Sequence, residues 1–118
     1  MKIHGRVISK GSVCGNLIIS KDPISFFGMI NKNNGLIIDK KHDLYNKSIK
    51  NKILLFPYGC GSTVGSYILY QMKKNNVSPL GIINIKCETI IAIGAIMSGI
   101  PLIDSLEINP YSILKDGD

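Results

Sequence analysis

The chain has 118 residues, 45 % of them apolar, and a formal net charge of +6; that length suits one domain with a core of modest size, and that apolar share excludes a disordered chain. Arg6 is the only arginine, and much of the lysine sits in Asn/Lys-rich stretches without aromatic interleaving, so the charge argues for a solvated surface or an anionic small substrate and against a nucleic-acid partner. No stretch approaches the roughly 18 apolar residues of a membrane span, and the opening MKIHGRVISKGS has no apolar signal core, which gives the expectation of a cytoplasmic protein with no membrane partner.

Residues 3–9 and 13–20 read as strands, and Lys10-Gly11 between them predicts a hairpin. Asp22 to Gly28 is a loop with two adjacent aromatics, Phe26 and Phe27. Residues 31–35 are turn-rich, 36–39 a short strand, 40–51 polar and irregular, and 52–56 a buried strand stopped by Pro57. From Thr63 to Asn76 the spacing predicts a helix with Val64, Ile68 and Met72 on one stripe, joined by Tyr67 and Leu69. Lys73 and Lys74 complement its dipole in the last turn. Residues 80–85 are a strand, Thr89 caps a second helix that stops at Gly99, and 100–103 close as a strand. The core is expected over about 3–105, with a loose tail over 107–118. The whole predicts an α/β chain, β-rich in front and β-α-β-α-β behind, with parallel pairing across the crossover helices.

Cys14, Cys60 and Cys87 are odd in number and widely spaced. They support neither disulfides nor a locally encoded zinc or iron–sulfur site. The segment most suited to chemistry is Gly59-Cys60-Gly61-Ser62-Thr63-Val64-Gly65-Ser66, between the strand 53–56 and the first long helix. A Gly/Ser/Thr turn that opens a helix points N–H groups and hydroxyls at an anion. The turn is not a Walker A loop, since Ser66 stands where lysine is needed. It is not a dinucleotide fingerprint, because Gly65 comes one position late, nor a nucleophile elbow, because Cys60 and Val64 flank Ser62. Ser62 fits a helix cap. One cap needs one hydroxyl, yet Ser62, Thr63 and Ser66 offer three, and Gly61 and Gly65 allow close approach.

The order GRVIS, DPISFFG, GLIID, LLFPYGCGSTVGSY and IPLID resembles the aconitase X swivel-domain family, in its branch of archaeal phosphomevalonate dehydratase small subunits. The likeness spans residues 5–104, with GSTVGSY its most specific piece. It implies a swivelling β/β/α domain that is not an enzyme alone. It implies a heterodimer with a large subunit, whose own cysteines hold a [4Fe–4S] cluster, and no metal bound by this chain. Together the two would dehydrate (R)-5-phosphomevalonate to trans-anhydromevalonate 5-phosphate in isoprenoid synthesis. The family's proton-accepting serine falls on Ser62, with Gly61, Thr63, Gly65 and Ser66 as substrate-binding neighbours. Cys60 departs from the basic residue expected there in many relatives.

That chemistry asks for a base on the carbon-bound proton and help for the departing hydroxide. Serine is a poor base unless unpaired N–H groups stabilise its alkoxide, and a helix N-terminus offers them. The residues alone leave other roles open: a swivel subunit for another hydroxy acid such as 3-hydroxyproline, a noncatalytic anion-binding module, or a structural partner subunit. Phe26 and Phe27, or the 59–66 turn, are expected to face the large subunit.

Overall fold

The structure is a computed structural model that describes residues 4–118. Its elements run β1 (Arg6–Ser9), β2 (Leu17–Ile19), α1 (Phe26–Met29, one irregular turn), β3 (Ile53–Phe56), α2 (Val64–Lys74), β4 (Gly81–Asn84), α3 (Thr89–Ser98), β5 (Leu102–Asp104) and α4 (Pro110–Ile113). The strands form one sheet in the order β1-β5-β4-β3-β2. β2, β3, β4 and β5 are parallel, and β1 joins β5 antiparallel. The β-α-β-α-β back half is therefore as expected, and the parallel pairing follows from its crossover helices.

The core lies between one sheet face and the helices. Ile18, Leu54, Phe56, Ile82 and Leu102 from the sheet meet Leu69 and Met72 of α2 and Ile91 and Ala95 of α3. The two helices approach closely because Gly94 has no side chain; a Cβ there would lie 3.1 Å from Ser66 Cα. The buried face of α2 is rotated from the expected stripe. Gly65, Leu69 and Met72 are buried, with Ile68 partly so, while Val64 and Tyr67 face outward. Apolar spacing alone could not see that Gly65 packs against Phe26 and Ile90.

The expected hairpin does not form. β1 and β2 lie at opposite edges of the sheet. The link between them runs along the starts of the parallel strands. There Gly11, at φ +154°, lies against the Pro101 ring with no room for a Cβ, and Gly15 lies against the tip of Leu80. The front strands are also shorter than expected, and Ile3 lies outside the described residues. The strand expected over 36–39 is reduced to isolated bridges, Ile30 to Ile37 and Leu36 to Ser48. The polar stretch after it is irregular, yet Leu44 and Ile49 anchor it in the core.

The tail is not loose. Gly117 N donates to Leu17 O at 2.8 Å, Leu17 N to Asp118 O at 3.0 Å, and Ile19 N to the Asp116 carboxylate at 2.8 Å. Tyr111 donates its hydroxyl to Ser20 O, and burial pushes that phenol up to about 12. Pairing the unpartnered edge of β2 is what orders these residues.

Candidate functional site

The strands β3, β4 and β5 deliver their C-terminal ends, and the N-termini of α2 and α3, to one edge of the sheet. Ligands of parallel α/β sheets gather at that edge. β3 stops at Pro57, and the next residues pair with the Asp22–Gly28 loop: Ile24 N donates to Tyr58 O, and Cys60 N to Ile24 O at 3.1 Å. Both glycines of this turn are required. A Cβ at Gly59 would collide with Ile91 and the Glu88 carboxylate, and one at Gly61, whose φ is +85°, would collide with Ser25 Oγ.

Ser62 follows at the mouth of α2. Its Oγ accepts from Val64 N at 3.1 Å, and its carbonyl accepts from Gly65 N at 3.0 Å. Ser62 thus caps α2 and is half-buried, while Gly61 and Thr63 beside it are exposed. The N–H groups of Gly61, Ser62 and Thr63 find no acceptor among the described residues. The other two expected binding positions serve the helix. Ser66 spends its hydroxyl on Thr63 O at 3.0 Å, and buried Gly65 lets α1 and α3 approach. The structure therefore brings Gly61, Ser62 and Thr63 together at the surface, buries Gly65, and commits the Ser66 hydroxyl to the helix backbone.

Two helix N-termini meet this edge, and they are treated oppositely. The cap of α3 is Glu88, not the expected Thr89. Its carboxylate accepts from Ile90 N at 2.8 Å and Ile91 N at 2.6 Å. α2 has no acidic residue in its first turn, only the neutral Ser62. The positive end of α3 is already compensated from within, whereas that of α2 is open to an incoming or developing negative charge. We expect Glu88→Ala to cost about 1 kcal/mol in urea denaturation, and Thr89→Ala to stay within about 0.5 kcal/mol, as a surface change does. Equal losses from the two would show that Glu88 is not the cap.

Further along the edge, Asp104 is fully buried at the end of β5. Arg6 donates to it through Nε at 2.9 Å and Nη2 at 2.8 Å, and Cys87 N donates at 2.7 Å. The guanidinium, and then the Cys87 N–H, hold this carboxyl below its ordinary 3.8. Its contribution to stability is present above the unfolded value and lost as pH falls through the lower folded one. In acid titrations below pH 4, the wild type should accordingly lose stability relative to Asp104→Asn; parallel curves would remove Asp104 from the account. Sequence reading missed this pair because its partners stand 98 residues apart. It also missed buried Asn84, which donates to Phe56 O at 3.0 Å and whose Oδ1 has no partner among the described residues.

The cysteines do not make a metal centre. Cys14 is exposed on the link before β2, and Cys60 and Cys87 stand on separate loops. Burial, then neighbouring carboxylates, pushes the Cys87 thiol up to about 11, and burial raises that of Cys60. Cysteines placed on separate elements do not fit the clustered donor set of an iron–sulfur cluster. Asp22, His42 and Asp43 do gather ligand atoms within 4.8 Å, but their atoms are already in use. His42 Nδ1 accepts from Leu44 N and Nε2 faces Pro23 O, so the proton belongs on Nε2. Asp43 accepts from Ser20 Oγ and Lys21 N, and Asp22 from Asp43 N. This cluster latches the 20–23 loop to the 42–44 turn.

An apolar rim surrounds the turn. Phe26 is buried against Phe56, but Phe27, its neighbour, is 54 % exposed, and Tyr58, Val64 and Tyr67 are exposed as well. Among the described residues, no helix is long and apolar enough to cross a membrane.

The profile of the aconitase X swivel domain matches residues 2–118. The chain is similar to the phosphomevalonate dehydratase small subunit of Methanosarcina acetivorans, 54 % identical over all of this chain and 82 % of that one. It is similar to the protein of the same description from Methanocaldococcus jannaschii, 50 % identical over all of this chain and 88 % of that one. Its fold matches a chain in the crystal structure of Thermococcus kodakaraensis aconitase X in its holo-form, with a TM-score of 0.91 and 45 % identity over 98 % of this chain and 86 % of that one.

Proposed function

Because this chain belongs to the aconitase X swivel-domain family, we propose that its residues 1–118 form one swivel domain, the small subunit of a cytoplasmic hydro-lyase. The reaction is dehydration of (R)-5-phosphomevalonate to trans-anhydromevalonate 5-phosphate, with the names of the relatives in support. The active form is a heterodimer with a large subunit. That subunit's [4Fe–4S] cluster would supply the Lewis acid for the departing hydroxide, since the cysteines of this chain stand on separate elements.

The observation that carries the reading is the Ser62 hydroxyl at the uncompensated N-terminus of α2. Ser62 acts as the proton acceptor. As alkoxide, its Oγ takes the proton from the carbon next to the substrate carboxylate. The C–H electron pair becomes the double bond, and hydroxide leaves from the adjacent carbon. Val64 N–H already touches Oγ, and the helix end lowers the cost of the alkoxide further. The N–H groups of Gly61 and Thr63, neighbours of Ser62 without an acceptor among the described residues, suit a substrate carboxylate. Phe27, Tyr58, Val64 and Tyr67 form the surface that meets the large subunit, so that docking dries the turn.

The experiment is anaerobic assay of the two chains, co-purified, against 5-phosphomevalonate, unphosphorylated mevalonate and 3-hydroxyproline. Efficient turnover of the phosphorylated substrate is expected, with at most weak turnover of mevalonate and none of 3-hydroxyproline. Turnover of 3-hydroxyproline in its place would move the chain to another hydroxy-acid dehydratase. Binding of all three without turnover would leave an anion-binding module.

A further inference from the structure

We propose that Arg6 is the residue of this chain that binds the substrate's phosphate, an inference that rests on the dehydratase reading above. Arg6 opens β1 at the same sheet edge as Ser62, because antiparallel pairing sets it opposite Asp104, the last residue of β5. A continuous path joins the two sites: Arg6 holds Asp104, Asp104 accepts from Cys87 N, and the Glu88 that follows packs against Gly59, three residues before Ser62.

The guanidinium is prepared for an anion. Nε and Nη2 each spend one N–H on the buried carboxylate. Of the five N–H groups of an arginine, both on Nη1 and the second on Nη2 have no partner among the described residues. The side chain is 54 % exposed while Asp104 is fully buried. The bidentate pair fixes the plane of the fork, so its free edge points one way, and it is pre-organised as a mobile lysine is not. Lys86, exposed on the loop before Cys87, adds a second positive charge at this edge. The nearby Glu88 carboxylate does not compete, being occupied by the α3 N-terminus.

Distance decides which anionic group belongs there. The carboxylate sits one bond from the carbon that gives up its proton, so it must lie beside Ser62. The phosphate is at the far end of the substrate. β1 stands three strand spacings from β3, about 14 Å between backbones, and the arginine side chain reaches back over part of that gap toward α3. The span suits the remote phosphate and is too long for the carboxylate.

The test uses the assembled pair of subunits with Arg6→Gln, Arg6→Lys, and the double variant Arg6→Gln/Asp104→Asn, which leaves no buried charge unpaired. Arg6→Gln should raise KM for 5-phosphomevalonate at least about tenfold, as loss of a charged hydrogen bond does, with a smaller change in kcat. Weak turnover of unphosphorylated mevalonate should be unaffected, a contrast that a purely structural arginine would not produce. Calorimetric titration of the pair with inorganic phosphate should show the same loss, and the double variant should repeat it. Arg6→Lys, which keeps the charge but not the fork, should fall between. Unchanged KM and phosphate affinity in Arg6→Gln and the double variant would overturn the proposal. So would weakened subunit assembly with normal KM, which would place the guanidinium against the partner instead. A wild-type pair that binds phosphate through Arg6 yet never dehydrates 5-phosphomevalonate would instead sink the dehydratase reading and keep the anion site.

Discussion

Ser62→Ala should remove nearly all turnover from the assembled pair while leaving fold and assembly intact. A positioned base is worth about 10²- to 10⁴-fold in rate. The cap that the same hydroxyl supplies to α2 is worth only about 1 kcal/mol of stability, so the catalytic and structural roles separate cleanly. The fall should lie in kcat, because Ser62 acts on the proton in the transition state and adds little to the binding of the substrate. Thr63→Val and Ser66→Ala should be milder for different reasons. Thr63 presents its N–H, which valine keeps. Ser66 has its hydroxyl committed to Thr63 O. Thermal melting of each variant serves as the control. Near-normal kcat in Ser62→Ala would send the search for the base to the large subunit.

Phe27→Asp should disrupt assembly. Phe27 is exposed beside the turn, and its backbone N lies 3.7 Å from where a Cβ at Gly65 would be. An aromatic anchor at the centre of an interface contributes about 2 kcal/mol or more, a factor of about 30 in affinity. A buried carboxylate without a partner adds to the loss. Tyr67→Asp should act the same way from the first turns of α2. Both side chains are exposed in the free chain, so its melting temperature should hardly change. Size-exclusion of the mixed chains reads the result. Wild-type assembly by both variants would place the partner on another face.

The strand, turn and helix from Ile53 to Lys74 were legible in the sequence because local rules agree there: an apolar run, a proline stop, a Gly/Ser turn, then lysines at the helix end. The position of Ser62 followed from that agreement. What stayed hidden depends on contacts distant in the chain. Nothing local tells Phe26, packed on Phe56, from Phe27 beside it. Glu88 displaces Thr89 as cap because a carboxylate reaches two N–H groups at once. The Lys10-Gly11 turn was plausible as a hairpin, but β5 and β3 offered both front strands better partners. The tail had too few apolar residues to announce itself, and it is held instead by backbone pairing to β2. Arg6, the residue proposed to bind phosphate, was conspicuous in the sequence only for being the sole arginine.

The central claim is that this chain is the proton-accepting half of a two-subunit dehydratase. Its most direct test is anaerobic conversion of (R)-5-phosphomevalonate, followed by mass spectrometry, by the cluster-loaded large subunit alone and after addition of this chain. The account predicts no product from the large subunit alone and steady formation of trans-anhydromevalonate 5-phosphate once this chain is added in equal amount. Equal rates with and without this chain would contradict it.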